Sequence, residues 1–236
     1  MYNKTYDDQS IRVENADFVQ FMLPHLNKTD KVVDLGCGTC RKLIKVAPYV
    51  QSADGLDRSV EMLQQARKTL KEQSVDNIRL FEGDNYNTPF VSGQYDVCSS
   101  ALSVWSPAEV RRLLKPTGKL FIETLCADDK LEIKDAFGCD ELGPRGYFRG
   151  QTREERIGYI LAGLEPFFEI EECCFVDKET TLTEEGFVKL LQVTPTIRGF
   201  SLEKDEGAVK QLVVDGKVSF VERRMMLRAT AKNVKF

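Results

Sequence analysis

Hydrophobic and polar positions along this chain fall into short blocks, and two periods take turns. Lys31–Leu35 is a compact apolar run that reads as a strand buried between helices. Residues 41–50 then place Leu43, Val46, Ala47 and Val50 on one helical face, and Pro48 is expected to end or kink that helix. Residues 52–56 read as a second strand. Ser59 is suited to cap a helix that turns Leu63, Ala66 and Leu70 inward. Residues 78–82 and 95–99 supply a third and a fourth strand.

The alternation continues downstream. Ser106-Pro107-Ala108-Glu109 combines a capping box with proline at the first helical position, so a helix starts there. Residues 115–118 stop it and lead into a strand over 119–124. Thr152 and Glu155 form a second capping box, and the helix behind them carries Ile157, Ile160, Leu161 and Leu164 on its buried side. Residues 168–176 and 225–231 complete seven strands. Strands separated by helices of this length predict an α/β domain, a parallel sheet with helices on both faces.

Two stretches break the rhythm. Residues 1–30 precede the first strand and hold an amphipathic segment over 16–26. Residues 177–222 separate the last two strands, with two helix-like stretches and a hairpin turn at Asp215-Gly216. The whole of 1–236 is expected to be a single domain, with 1–30 as an N-terminal lid and about 177–222 as a substrate-side insertion.

Composition narrows the class. The 236 residues are 42% hydrophobic and 30% charged, an ordinary globular balance with length enough for a core of its own. A net charge of −4 argues against a general nucleic-acid binder, which would show a basic footprint. No apolar run approaches a membrane span, and the polar start is unlike a signal peptide. Seven cysteines, an odd number, read as thiols in a reducing, cytoplasmic setting.

The strongest local signal is Val32-Val33-Asp34-Leu35-Gly36-Cys37-Gly38-Thr39-Cys40. A strand ending in Gly-x-Gly before a helix lets the backbone turn tightly, pass close to a ligand and present helix N–H groups to it. Asp57 follows Gly38 by 19 residues, at the end of the second strand, where a carboxylate can accept from a ribose. A dinucleotide fingerprint needs glycine or alanine three residues after Gly38; Arg41 stands there instead.

These residues resemble the class I S-adenosylmethionine-dependent methyltransferases. The first motif of that family is Asp/Glu-x-Gly-x-Gly-x-Gly, matched by Asp34, Gly36 and Gly38, with Cys40 in place of the third glycine. Asp57, Gly83-Asp84 and the Leu114–Gly118 turn match three further motifs in order. The resemblance implies a Rossmann-like, doubly wound, seven-stranded sheet, mostly parallel with an antiparallel last strand. It also implies S-adenosyl-L-methionine as cofactor. Asp34, Gly36 and Gly38 would line its methionine end, Asp57 the ribose hydroxyls and Asp84 the adenine amino group. Arg58 and Met62 would flank the adenine ring, Asn85 its edge, and Ser99 would sit near the sulfonium.

Other residues carry weaker signals. Cys37-x-x-Cys40 fits the variable positions of the glycine loop better than a metal or redox pair, and no metal site is expected. His25 fits capping or packing of the first helix. Trp105 lies after the fourth strand, as core, lid or substrate contact. No side-chain pair identifies a catalytic base, so no catalytic residue is named. The expected lid comprises residues 1–20, 128–150 and 177–222, with Tyr6, Arg145, Tyr147 and Arg149 as candidates for acceptor contact. Leu190–Pro195 is similar to a helix-end Thr-Pro motif of the ribosomal RNA guanine-N1 methyltransferases, which carry a zinc site absent here. The helical insertion is also similar to that of the biotin-pathway methyltransferase acting on a carrier-borne malonyl thioester. The acidic charge favours a small-molecule or carrier-borne acceptor over nucleic acid. The alternatives are an RNA methyltransferase and a non-catalytic protein that binds the same cofactor.

Overall fold

A computed structural model describes residues 11–12, 17–148 and 150–233. In chain order its strands are β1 (Ile11–Arg12), β2 (Lys31–Leu35), β3 (Ser52–Asp57), β4 (Ile78–Glu82), β5 (Tyr95–Ala101), β6 (Leu114–Leu125), β7 (Cys139–Asp140), β8 (Gly143–Pro144), β9 (Phe168–Thr183) and β10 (Lys217–Ala231). The helices are α1 (Phe18–Met22), α2 (Arg41–Val46), α3 (Val60–Glu72), α4 (Pro107–Leu113), α5 (Leu131–Phe137), α6 (Arg153–Leu164), α7 (Glu184–Val193) and α8 (Leu202–Leu212).

The main sheet runs β1-β9-β10-β6-β5-β2-β3-β4, with β7 and β8 as a separate pair. Only β10 runs antiparallel to its neighbours β6 and β9. The expected seven-stranded sheet with an antiparallel last strand is therefore present. The two-residue β1 is an addition, pairing in parallel with Cys174 and Phe175.

Alternation along the strands feeds two cores. Val32, Val97, Phe121 and Met226 point to one face, where α1, α2 and α3 pack with Phe18, Leu43 and Leu63. Val33, Cys98, Leu120 and Leu227 point to the other, under Val110 and Leu113 of α4 and Ile157 and Leu164 of α6. All four residues expected on the second helix's face are buried, although Pro48 turns its end into a short 3-10 segment. Ser59 caps α3 by accepting from the Met62 N–H, and Thr152 and Glu155 form the complete capping box of α6.

Several boundaries differ from the sequence reading. The box at α4 is only half made: Ser106 caps the Glu109 N–H, but the Glu109 carboxylate accepts from Thr88 and Arg112 instead. The 115–118 turn is a bulge inside β6, whose pairing with β5 jumps from Tyr95↔Leu114 to Val97↔Lys119. β9 and β10 outrun their expected bounds, paired from Lys217↔Thr183 onward, so the true insertion is only the stretch holding α7 and α8. Asp215 and Gly216 take φ of 50° and 71°, as the tight hairpin requires. Ile133, Phe137, Phe187, Leu191, Val209 and Phe220 make a third, smaller core under α5, α7 and α8.

Residues 1–10 and 13–16 of the expected N-terminal lid, Tyr6 among them, lie outside the described residues. The following helix, α1, packs Phe18, Val19 and Met22 into the first core, so this part of the segment is structural.

Candidate functional site

The loops leaving β2, β3, β4 and β5 meet at one end of the sheet and open into a cavity of about 850 Å³. The walls at one end are Gly36, Asp57, Arg58, Glu82, Asp84 and Asn85. Toward the other end they pass through Leu102, Ser103 and Val104 to Thr124, Tyr147, Phe148, Arg156 and Pro195. The order β4-β3-β2-β5-β6 separates Asp57 from Thr124 by three strand spacings, about 14 Å at about 4.8 Å each.

The glycine loop is shaped by backbone. Gly36 has φ +79°, and a Cβ there would lie 2.2 Å from Ser103 Oγ, so the turn and the close approach both require glycine. The Gly36 and Cys37 N–H groups both donate to the Leu56 carbonyl, tying the loop to β3. Gly38 has φ +53°, and its N–H donates to Asp57 Oδ2 at 2.8 Å. Asp57 Oδ1 accepts from the Ser59 N–H at 2.9 Å. Each carboxylate oxygen thus spends one acceptor position on backbone and keeps another for a ligand. The loop N–H expected to face a ligand serves first to orient Asp57.

Cys40 stands where the family motif has its third glycine, and its φ is +60°. That left-handed conformation is what glycine supplies without strain. The side chain is fully buried, and its contact with Cys37, together with burial, pushes the Cys37 thiol well up. A thiol held protonated in this way is not a nucleophile.

Asp34 and Ser99 sit opposite each other on β2 and β5, and Ser99 Oγ donates to Asp34 Oδ1 at 2.7 Å. Both are buried. Removal from water raises the Asp34 carboxyl to about 6, against the opposing pull of Ser99 and Lys42. Ser99 was expected where the strand ends; β5 runs on to Ala101, so Ser99 is a buried support of Asp34 and Leu102 and Ser103 occupy the exit. Asp34 likewise lies behind Gly36 and is not among the cavity's walls.

Asn85 bridges two loops by donating to Ser103 Oγ and the Val104 carbonyl, both at 3.0 Å. Its Oδ1 is buried without a partner, an acceptor aimed at nothing in the protein. Asp84 Oδ1 accepts from the Tyr86 N–H and the residue is exposed. Arg58 lines the cavity. Met62, on the first turn of α3, is half exposed and does not.

Of the acceptor candidates among the described residues, Tyr147 lines the cavity and Arg145 does not. Arg145 is buried in a bidentate pair with Asp205, at 2.6 and 2.9 Å, so its role is to hold α8. Arg149 lies outside the described residues. His25 packs on Phe121 and Trp105 against the second core, neither in the cavity. Sequence reasoning missed Glu82, Leu102, Ser103, Phe148 and Arg156. Leu102, bulky yet at φ +57° and exposed, carries backbone strain of a kind that gathers at functional sites but leaves no mark in sequence.

An open, mostly parallel sheet with its cavity outside the carboxyl ends of the strands is the Rossmann-like, doubly wound arrangement, in which ligands bind at that edge. Residues 32–118 match the family model described as a methyltransferase domain. That match and these motifs support a class I S-adenosylmethionine-dependent methyltransferase domain over that part of the chain. It is 27% identical over 125 residues to the uncharacterized methyltransferase YcgJ of Bacillus subtilis, 50% of this chain and 49% of that protein. Demethylmenaquinone methyltransferase of a Geobacillus species is 29% identical over 106 residues, 41% of this chain and 45% of the relative. The 23S rRNA (guanine(748)-N(1))-methyltransferase of Streptomyces fradiae is 28% identical over 143 residues, 59% and 46%. The chain thus spans about half the length of the curated relatives it matches. The crystal structure of YcgJ superimposes with a TM-score of 0.65 at 16% identity, covering 92% of this chain and 99% of that one, and shows a shared fold. Among the described residues no helix is long and apolar enough to cross a membrane.

Proposed function

We propose that this protein is an enzyme that transfers a methyl group from S-adenosylmethionine to a small-molecule or carrier-borne acceptor. The observation that carries the reading is one continuous cavity that joins the glycine loop and Asp57 to Thr124, about 14 Å away, and to the aromatic Tyr147 and Phe148. Its residues fit the cofactor. Gly36 leaves room where a Cβ would collide, Asp57 has acceptor positions left for two hydroxyls, and Asn85 Oδ1 is a buried acceptor that lacks a donor. Asp84 and Arg58 stand at the same end for the base, and Asp34 gives negative charge behind the loop.

When bound, the cofactor supplies an electrophilic methyl group on a positively charged sulfur. The chain's own work is then alignment and exclusion of water. Leu102 and Val104 offer apolar walls beside the β5 exit, and Tyr147, Phe148 and Pro195 close the far side. Tyr147 and Pro195, lining the cavity, support a lid role for the segment after α5 and for the helical insertion. Seven unpaired thiols, only Cys139 of them exposed, suit a reducing compartment such as the cytoplasm.

The likeness to the rRNA enzyme and the Thr194-Pro195 motif at the cavity favour RNA as a second reading. Against it, Arg145, Arg153, Arg198, Arg223 and Arg224 are each paired with a carboxylate, so these five are not free to follow a phosphate backbone.

Calorimetric titration with S-adenosylmethionine tests the binding half. One site per chain is expected, weakened about a hundredfold by Asp57→Ala. No heat at millimolar cofactor contradicts the reading.

A further inference from the structure

The cavity is electrically lopsided. Its described carboxylates, Asp57, Glu82 and Asp84, all stand at the end formed by β3 and β4, with Arg58 beside them. Among the described residues the opposite end is lined by one cation, Arg156, in the first turn of α6. Its guanidinium lies 3.6 Å above the centre of the Phe148 ring, and its Nε–H reaches the Leu125 carbonyl at 3.4 Å. Among the described residues it makes no ion pair. Neighbouring arginines show the contrast: Arg153, three positions earlier, is held by Asp128 at 2.6 Å, and Arg223 by Glu132 at 2.8 Å.

A cation removed partly from water without a counter-ion costs free energy unless a ligand supplies the charge. Burial lowers the pKa of Arg156, and the groups that oppose this are Tyr147, Cys126 and Tyr159, none of them a carboxylate. Stacking on Phe148 fixes the plane of the guanidinium, and with Nε turned to Leu125 the terminal N–H groups remain for a planar anion. The cavity that Arg156 lines is also walled by Leu102, Val104, Tyr147 and Phe148, apolar and aromatic.

We propose that Arg156 binds the carboxylate of an aromatic acceptor, whose ring lies between the Tyr147–Phe148 pair and the Leu102–Val104 wall. This rests on the reading of the cavity as a methyl-transfer site. Fixing the carboxylate at the far end of the cavity points the rest of the acceptor toward the β2 and β5 exits. Arg156 is thus a specificity-determining residue, and selects for charge where the aromatic walls select for shape.

The test is a pair of titrations, 4-hydroxybenzoate against 4-hydroxybenzamide, on protein loaded with S-adenosylhomocysteine and on protein without it. The carboxylate should bind at least about tenfold tighter than its amide, the worth of a charge-assisted hydrogen bond. Arg156→Gln should erase the difference, and Arg156→Lys should keep part of it, since charge survives and the planar fork does not. Thermal melting of both variants, and their unchanged affinity for S-adenosylhomocysteine, check that the fold persists. Equal binding of the two ligands, binding of neither, or a preference that survives Arg156→Gln overturns the proposal. Loss of S-adenosylhomocysteine binding in the unaltered protein, with the carboxylate preference kept, contradicts the methyltransferase reading and leaves Arg156 in place.

Discussion

The two ends of the cavity are built by different means. The β2–β4 end is made of backbone: positive-φ glycines, main-chain N–H groups ending on Asp57, and a loop pinned to the Leu56 carbonyl. The lid end is made of side chains, with its own small core and a set of ion pairs joining distant segments, Arg145 to Asp205 and Arg153 to Asp128 among them. The first arrangement suits a ligand that never changes. The second can be redrawn residue by residue without disturbing the sheet, which is how one fold serves many acceptors.

If the two ends are separable, breaking the lid should spare the cofactor loop. Arg145→Ala leaves Asp205 buried and unpaired, at a cost of about 3–5 kcal/mol. Hydrogen exchange should accelerate across α5, α7 and α8 while the amides of β2–β4 keep their protection. Equal loss of protection in both regions breaks the comparison.

The cofactor end carries its own strain. Asp34 titrates near 6 in the folded chain, against 3.8 when exposed. The folded state therefore holds this proton more tightly, and the stabilisation is complete below about 3.8 and lost as pH rises through about 6. Over that window it amounts to about 3 kcal/mol, and Asp34→Asn should flatten that part of a urea-denaturation profile against pH. The positive charges of the cofactor favour the ionised form, so affinity should rise across the same interval. A stability profile unchanged by Asp34→Asn means that the carboxyl is already ionised at low pH.

A smaller effect separates packing from backbone at Cys40. Cys40→Ala keeps the left-handed strain and loses the thiol; Cys40→Gly loses the thiol and the strain together. The glycine variant should be more stable than the alanine variant by about 1 kcal/mol in urea denaturation. The reverse order means that the loop can relax out of its φ of +60°.

The same division decided what could be read from sequence. Backbone devices leave local marks: the positive φ of Gly36 and Gly38, the Ser59 cap, the Pro48 helix end and the Thr152 box are each set within a few residues, and the structure has them where expected. The ladder of β9 and β10 was undercounted because its outer part, 177–183 and 217–224, carries many polar residues on the solvent side. The alternation of buried Val218 and Phe220 was its only sign. Arg145–Asp205 spans 60 residues and Asn85–Ser103 spans 18, so neither pairing has a sequence signature. β5 runs two residues past Ser99, which leaves its side chain in the interior and Leu102 and Ser103 at the cavity. Glu109 left its capping box because Arg112 and Thr88, which the motif does not mention, were better partners.

The most direct test follows the methyl group itself. The protein is incubated with S-adenosylmethionine carrying a labelled methyl and with an extract separated into small-molecule, protein and RNA fractions. The account predicts label in the small-molecule or carrier-protein fraction, and none there with Asp57→Ala. Label confined to RNA, or no transfer to any fraction by a protein that binds the cofactor, contradicts it.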